Sequence, residues 1–317
     1  MTTAWVVGCG GLLGTALCRV LRGRGTKLYF PDGRFSWTNA SEFAPQLEAA
    51  VRGFAAGVGT TERWEVYWAA GVGTMGSSNS DLEVETRFLA LLLQLVESDS
   101  RLMSVPGAIA FASSAGAIYA GSSDYIISEE TPIAPTTAYG RAKLQQENLL
   151  RNFAQKNGRT AVSIARLSTL YGPGQSLGKQ QGLLAHIARC MLRNRPVQVY
   201  VPLDTIRDYI AADDAAVAIV AVSRVTAEER GVLTKIIASE EATTIAEIIS
   251  AFRRVARRAP RVVTSASKLT GIYSRRVQFR SVVAPTLPRS PRTSLLVGIS
   301  QVMAAEHREF VRSPRGG

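Results

Sequence analysis

Thr3-Ala4-Trp5-Val6-Val7-Gly8-Cys9-Gly10-Gly11-Leu12-Leu13-Gly14 is the stretch on which the fold turns. Thr3 to Val7 is a short apolar run, as expected of a strand buried in a parallel sheet. The glycines that follow recur as Gly8-x-x-Gly11-x-x-Gly14. A helical spacing of apolar residues then runs through Leu17, Val20 and Leu21 to Arg22-Gly23-Arg24-Gly25, where glycine is available as a C-cap. Glycine lets the backbone turn tightly and approach a pyrophosphate, whose charge suits a helix N-terminus. Strand, glycines and helix in this order predict a dinucleotide loop, with Gly8, Gly11, Leu12, Leu13 and Gly14 as cofactor contacts.

The pattern continues outward from there. Lys27 to Phe30 reads as a second strand, followed by Asp32, 24 residues after Gly8. An acid there hydrogen-bonds adenosine ribose hydroxyls and favours NAD, whereas Arg34 would pair with the 2′-phosphate of NADP. The balance leans to NAD. Phe35-Ser36-Trp37 reads as a very short third strand, and Ala44 to Phe54 as a helix. Trp64 to Ala70 reads as a fourth strand ending in Ala69-Ala70-Gly71, small residues that let a cofactor lie against the backbone. A long helix from Asp81 to Glu97 precedes a fifth strand, Ala108 to Ala112, which runs into Ser113-Ser114. Ala161 to Leu167 is the sixth strand. Further helices are expected at Leu183 to Leu192, Thr243 to Val255 and Ser294 to Phe310, with only short strands or coil from Arg261 to Arg292. Alternating strands and helices imply an α/β fold, a doubly wound parallel (Rossmann) sheet over residues 1–172. Residues 173–317 are expected to form mainly a smaller substrate-binding lobe, with 205–235 returning to the Rossmann domain.

Between the fifth and sixth strands lies Tyr139-Gly140-Arg141-Ala142-Lys143. On a helix the phenol and the amine share one face, about one turn apart. The ammonium favours the phenolate, so the tyrosine is expected to ionise below its ordinary range and to act as a general acid or base. Glu147, four residues on, is in position for an ion pair with Lys143.

With the glycine loop and the Ser-Ser strand end ahead of it, this segment resembles the active site of the extended short-chain dehydrogenase/reductases, the NAD-dependent epimerase/dehydratase family. The resemblance runs from Met1 to about Asp214, some two-thirds of the chain. It implies hydride transfer with NAD or NADP. Tyr139 exchanges the proton, Lys143 holds the nicotinamide ribose, and Ser114, with Ser113 second, orients the reacting oxygen. Ser128 to Thr137 is similar to the family's acidic, proline-bearing approach to the catalytic helix. Ser168 to Gly174 resembles Arg-Leu-Phe-Asn-Val-Tyr-Gly-Pro-Gly, with Thr169 where an asparagine often touches substrate. Arg207-Asp208-Tyr209-Ile210, with Asp214 beyond, is similar to a segment whose arginine meets a nucleotide-sugar diphosphate. Besides Thr169, three segments depart from the pattern. Ser36 and Trp37 replace the acid and apolar pair at the adenine. Thr86 is nearest to an asparagine usual in the long helix and takes over no role. Ala115-Gly116-Ala117 stands where dehydratases carry Thr-Asp-Glu, which argues against elimination of water. The resemblance therefore implies a nucleotide-sugar epimerase or ketoreductase, and it leaves a homodimer open.

Composition bounds the rest. With 317 residues, 46% of them hydrophobic, the chain suits a globular enzyme. No apolar run approaches the ~20 residues of a membrane span, and the N-terminus reads as a strand and not as a signal peptide. Cys9, Cys18 and Cys190 suit a reducing cytoplasm and have no ligand spacing. His186 and His307 are far apart, so neither a His-based triad nor a metal site is expected. The net charge of +12 lies wholly in residues 251–317, where 14 Lys+Arg meet 2 Asp+Glu. These residues admit an anion or nucleic-acid site or a solvated cationic face. Without aromatic interleaving the solvated face is preferred, and no nucleic-acid partner is expected. A non-catalytic dinucleotide-binding regulator is the other reading, against which Tyr139 and Lys143 weigh.

Overall fold

The computed structural model describes all residues except 1, 38, 60–62, 72, 75, 176–181, 265–275, 285–291 and 313–317. The chain opens with β1 (Thr2–Val7), α1 (Leu12–Gly23), β2 (Lys27–Tyr29), α2 (Ala40–Gly57) and β3 (Arg63–Trp68). Then come α3 (Asn79–Ser98), α4 (Ser100–Ser104), β4 (Gly107–Ser114), α5 (Ala115–Ile118), α6 (Ala138–Lys156), β5 (Thr160–Leu167) and β6 (Thr169–Tyr171). The remainder is α7 (Leu183–Leu192), β7 (Val197–Val199), β8 (Ile206–Ala211), α8 (Ala212–Glu229), β9 (Val232–Ile237), β10 (Ala242–Thr244), α9 (Ile245–Ala256), β11 (Val262–Thr264) and α10 (Leu295–Arg312).

The main sheet has six parallel strands in the order β2-β1-β3-β4-β5-β9. Its central strands are buried on both faces, which is why they read as continuous apolar runs. On one face, side chains of α2, α3 and α6 pack against Trp5, Trp64, Trp68 and Phe111. On the other, α1 and α8 cover Val6, Tyr67, Ala110 and Ala165. This is the doubly wound Rossmann arrangement. The strand order reverses between β1 and β3, so a crevice opens at their carboxyl ends. A smaller body built on α7, α9, α10 and short strands has its own apolar cluster, including Leu184, Ile187, Tyr209, Phe252 and Ile299. Two small sheets serve it, β10-β8-β6 and β11-β7.

Phe35-Ser36-Trp37 is not a strand, which corrects the sequence expectation and makes the segment from Arg63 the third strand of the chain. The physical reason is aromatic packing. Phe35 and Trp37 lie 5.5 and 5.1 Å, centroid to centroid, from Phe43 of α2, and Trp37 meets Trp68 edge-on. The residues are apolar because they cap the core beside the sheet, not because they join its hydrogen-bond ladder. Part of the stretch 261–292 lies outside the described residues; within the rest, β11 is the one strand.

Candidate active site

The glycine loop occupies the crevice between β1 and β3. Gly8 has φ of +89°, and a Cβ there would stand 2.7 Å from the backbone nitrogen of Ala70, so only glycine brings the two strand ends this close. Gly14 packs on the Gly8 carbonyl too tightly for any side chain. Gly11 differs: its N–H donates to Gly8 O at 3.0 Å, and a Cβ would meet only that oxygen, at an ordinary 3.4 Å. Among the described residues nothing packs closely enough to demand glycine at position 11. Helix α1 begins at Leu12 with no side-chain cap and no acid in its first turn. Its leading N–H groups, those of Leu12 and Leu13 included, are therefore suited to an anion. Asp32 and Arg34 are both exposed beyond β2, and Ala69-Ala70-Gly71 closes the end of β3, where Ala69 N–H donates to Val7 O at 2.9 Å.

The proton-transfer candidates gather at the end of β4. Thr137 caps α6 by accepting from Gly140 N–H, and this sets Tyr139 in the first turn. The Ser114 hydroxyl, which accepts from Ala117 N–H at 3.3 Å, lies beside the phenol and favours its ionised form. Lys143 Nζ lies 5.6 Å from the Tyr139 ring centroid and 5.1 Å from that of Phe111. Gly73 packs against the Tyr139 ring from the β3 side.

Three expectations are corrected here. Lys143 does not pair with Glu147. Its ammonium donates to Glu85 Oε1 at 2.8 Å and to Gln146 Oε1 at 3.0 Å, and both ion-pair partners are buried. Glu147 is instead held by Arg166, through Nε at 3.0 Å and Nη2 at 2.7 Å, and by Arg151 at 3.2 Å. Ser113 joins that second network: its hydroxyl donates to Glu147 Oε1 at 2.7 Å and so is turned away from Tyr139. Successive strand residues face opposite sides, so Ser113 and Ser114 could not both serve the site. Finally, Tyr139 ionises above its ordinary range, not below it. Burial pushes it up, Lys143 pulls it down, Glu85 pushes it up again, and the Ser114 hydroxyl lowers it without reversing the outcome. Lys143 itself stays firmly charged, because its anionic neighbours outweigh its burial.

Glu85 was not anticipated from the sequence, although a signal was present. The buried stripe of α3 runs Leu82, Glu85, Leu89, Leu92, Val96, and a carboxylate in such a stripe calls for a partner. One Glu85 oxygen takes Lys143, and the other accepts from Gly73 N–H at 3.2 Å. Thr86 is also buried and accepts from Gln146 Nε2 at 3.1 Å, tying α3 to α6.

Thr169 and Arg207 lie on the neighbouring small sheet. Thr169 is exposed at the start of β6 and pairs in register with Tyr209 of β8. Arg207, two residues before Tyr209, is half-buried and donates to Ile206 O at 2.7 Å. Asp214 accepts from Thr293 N–H at 2.7 Å and from its hydroxyl at 3.0 Å. Among the described residues no helix is long and apolar enough to cross a membrane, and no group of three His, Cys, Asp or Glu is placed to hold a metal.

Known proteins share parts of this sequence and its fold. Over 94 residues the chain is 38% identical to the dTDP-L-rhamnose 4-epimerase of Burkholderia thailandensis, a match covering 29% of this chain and 26% of that protein. It is 33% identical over 106 residues to the dTDP-4-dehydro-6-deoxyglucose reductase of Escherichia coli, which covers 33% of each. The chain thus matches no more than a third of the length of these two relatives. The solved structure of MoeE5 in complex with UDP-glucose and NAD superposes with a TM-score of 0.78 at 21% identity, over 97% of this chain and 99% of that one. The UDP-glucose 4-epimerase of Thermotoga maritima with UDP-glucose gives 0.78 at 19% identity, over 98% and 100%. Residues 4–233 match the model of a single family. On that match, which spans the glycine loop, Tyr139 and Lys143, the chain belongs to the NAD dependent epimerase/dehydratase family.

Proposed function

We propose that this protein is a nicotinamide-dinucleotide-dependent epimerase or ketoreductase of a nucleotide sugar. The observation that carries the proposal is the convergence of Ser114, Tyr139 and Lys143 beside the wall formed by Gly71 and Gly73, next to the strand ends that carry the glycine loop. The names of the matched relatives, a dTDP-sugar epimerase and a dTDP-sugar reductase, and the UDP-sugars held by the structural neighbours support this substrate class.

The residues present fit a dinucleotide. The uncapped start of α1 and the tight Gly8–Ala70 approach form a cradle for a pyrophosphate, bounded by Gly11, Leu12, Leu13 and Gly14. Asp32 would take the adenosine ribose and so favour NAD, with Arg34 as the competing influence toward NADP. Ala69, Ala70 and Gly71 offer backbone without bulk. Lys143 would reach the nicotinamide ribose. When bound, the nicotinamide supplies the acceptor and donor of hydride.

The chain's own part is proton management. Tyr139 Oη takes a proton from a substrate hydroxyl or gives one to a carbonyl oxygen. Ser114 Oγ orients that oxygen, and the Lys143 charge favours the phenolate. Thr169 and Arg207 are assigned to the substrate side, where the guanidinium suits a diphosphate. Ala115-Gly116-Ala117 offers no acid at the start of α5, which favours epimerisation or reduction over dehydration.

The test is to incubate the protein with NAD or NADP and a panel of UDP- and dTDP-linked sugars, reading cofactor absorbance and epimer formation. Turnover of one of them by the wild type and not by Tyr139→Phe is expected. Equal turnover by both proteins would overturn the assignment.

A further inference from the structure

Glu85 is a buried carboxylate from another helix placed within salt-bridge distance of the catalytic-helix lysine. It is 2.8 Å from Lys143 Nζ, both side chains are shielded from water, and its second oxygen is fixed by Gly73 N–H. Gln146 completes the cage: it accepts from Lys143 Nζ at 3.0 Å and donates to Thr86. In so enclosed a setting an ion pair is held in one geometry, because either charge left alone would be strongly penalised. The ammonium is therefore not free to serve Tyr139 or a ribose on its own terms.

We infer that Glu85 is a positioning residue: its carboxylate, itself fixed by Gly73 N–H, holds the Lys143 ammonium in place and so governs how strongly that ammonium acts on the Tyr139 phenol. The charged groups bearing on Tyr139 are Lys143 from its own helix and Glu85 from α3, while β4 contributes the uncharged Ser114. Burial is the largest influence that keeps the phenol protonated, and the two charges act on it in opposite senses, Glu85 offsetting part of the pull of the lysine one helical turn away. The consequence for proton transfer rests on the proposed function: a neutral phenol is ready to give a proton to a substrate carbonyl oxygen and must first lose its own before it takes one from a hydroxyl.

The test needs neither substrate nor cofactor. Tyrosinate absorbance is followed with pH in the wild type, in Glu85→Gln and in the Tyr139→Phe counterpart of each, so that subtraction isolates Tyr139 from the other tyrosines. In Glu85→Gln, Tyr139 is expected to ionise at a pH lower by roughly one unit or more, the size expected when a neighbouring like charge is removed. Should Glu85→Gln not fold, Glu85→Asp draws the charge back by one methylene and should move the phenol the same way by less. A folded variant in which Tyr139 titrates as in the wild type overturns the inference. That result would leave Tyr139's catalytic assignment standing, whereas normal turnover by Tyr139→Phe would remove the assignment and leave the electrostatic coupling intact.

Discussion

Arg166 of β5 grips Glu147 of α6 at two points, with Nε at 3.0 Å from one carboxylate oxygen and Nη2 at 2.7 Å from the other, and neither residue is open to water. The pair fixes α6 to the sheet one turn beyond Lys143, and Ser113 of β4 donates into the same carboxylate. Removing one partner leaves the other buried and unpaired. Glu147→Ala should therefore destabilise the protein by about 3–5 kcal/mol, read by denaturant unfolding. Replacing both charges, Glu147→Leu with Arg166→Met, should cost less than the single change. A double variant less stable than Glu147→Ala would show that the pair is not the source of the loss.

How much of this was readable in advance depended on the range of each signal. The glycine loop was legible because its requirements are local: Gly8 and Gly14 lie six residues apart, directly after the strand that feeds them. Tyr139 and Lys143 were legible for the same reason, being one helical turn apart. The same local logic offers Glu147 to Lys143 as an ion-pair partner, but its carboxylate is held by Arg166, 19 residues away on a different element. Glu85, 58 residues from Lys143, was out of reach of any local rule. The pull of Lys143 on Tyr139 was read correctly, but the burial and the Glu85 charge that outweigh it come only from tertiary packing. Phe35 and Trp37 failed differently: an aromatic pair beside a core carries the composition of a strand without its hydrogen bonds.

The glycines should separate by role. Gly14→Ala should disrupt the loop itself, since the Gly8 carbonyl already fills the space. Gly11→Val meets only an ordinary contact at 3.4 Å, so the variant should fold while its side chain obstructs the cradle. Circular dichroism should match the wild type, and calorimetric titration with NAD should show no binding. Undiminished affinity in folded Gly11→Val would sink the loop assignment.

Cofactor choice should follow the two exposed residues beyond β2. Asp32 accepts from ribose hydroxyls and repels a 2′-phosphate, so the wild type should bind NAD more tightly than NADP. Asp32→Ala should narrow that preference, and Arg34→Ala should weaken only NADP. A wild-type preference for NADP that vanishes in Arg34→Ala would reverse the weighting of the two.

The buried Glu85–Lys143 pair predicts a pH window of stability. Burial alone would raise the Glu85 carboxyl, but Lys143 and the hydrogen bonds from Gly73 and Gln146 hold it below its ordinary 4.5. A lowered carboxylate contributes stability that is present above 4.5 and is lost as pH falls through the folded value. Lys143 is raised from 10.5, so its contribution is present below that pH and is lost as pH climbs through its folded value. The advantage of wild type over Glu85→Gln should thus be level at neutral pH and shrink in acid. An advantage unchanged into strong acid would mean that the pair does not couple to folding.

The sharpest prediction concerns Tyr139, and the structure makes it cleaner than the neighbouring alternatives. Lys143→Met would slow any reaction but would also leave Glu85 buried without its cation, so a loss of rate there mixes chemistry with misfolding. Ser114→Ala removes the hydroxyl beside the phenol together with the cap of α5. Tyr139→Phe keeps the ring that packs against Gly73 and Lys143 and deletes only the hydroxyl. Its unfolding curve and dinucleotide affinity should therefore stay close to those of the wild type, while turnover of the nucleotide sugar falls by about 10²–10⁴, the usual contribution of a positioned acid or base. Because the wild-type phenol is kept protonated, the reductive rate should hold through neutral pH and decline only in alkali, and the residual activity of Tyr139→Phe should lack that alkaline limb. Should the variant retain both the wild-type rate and the alkaline decline, the proton must pass through another group.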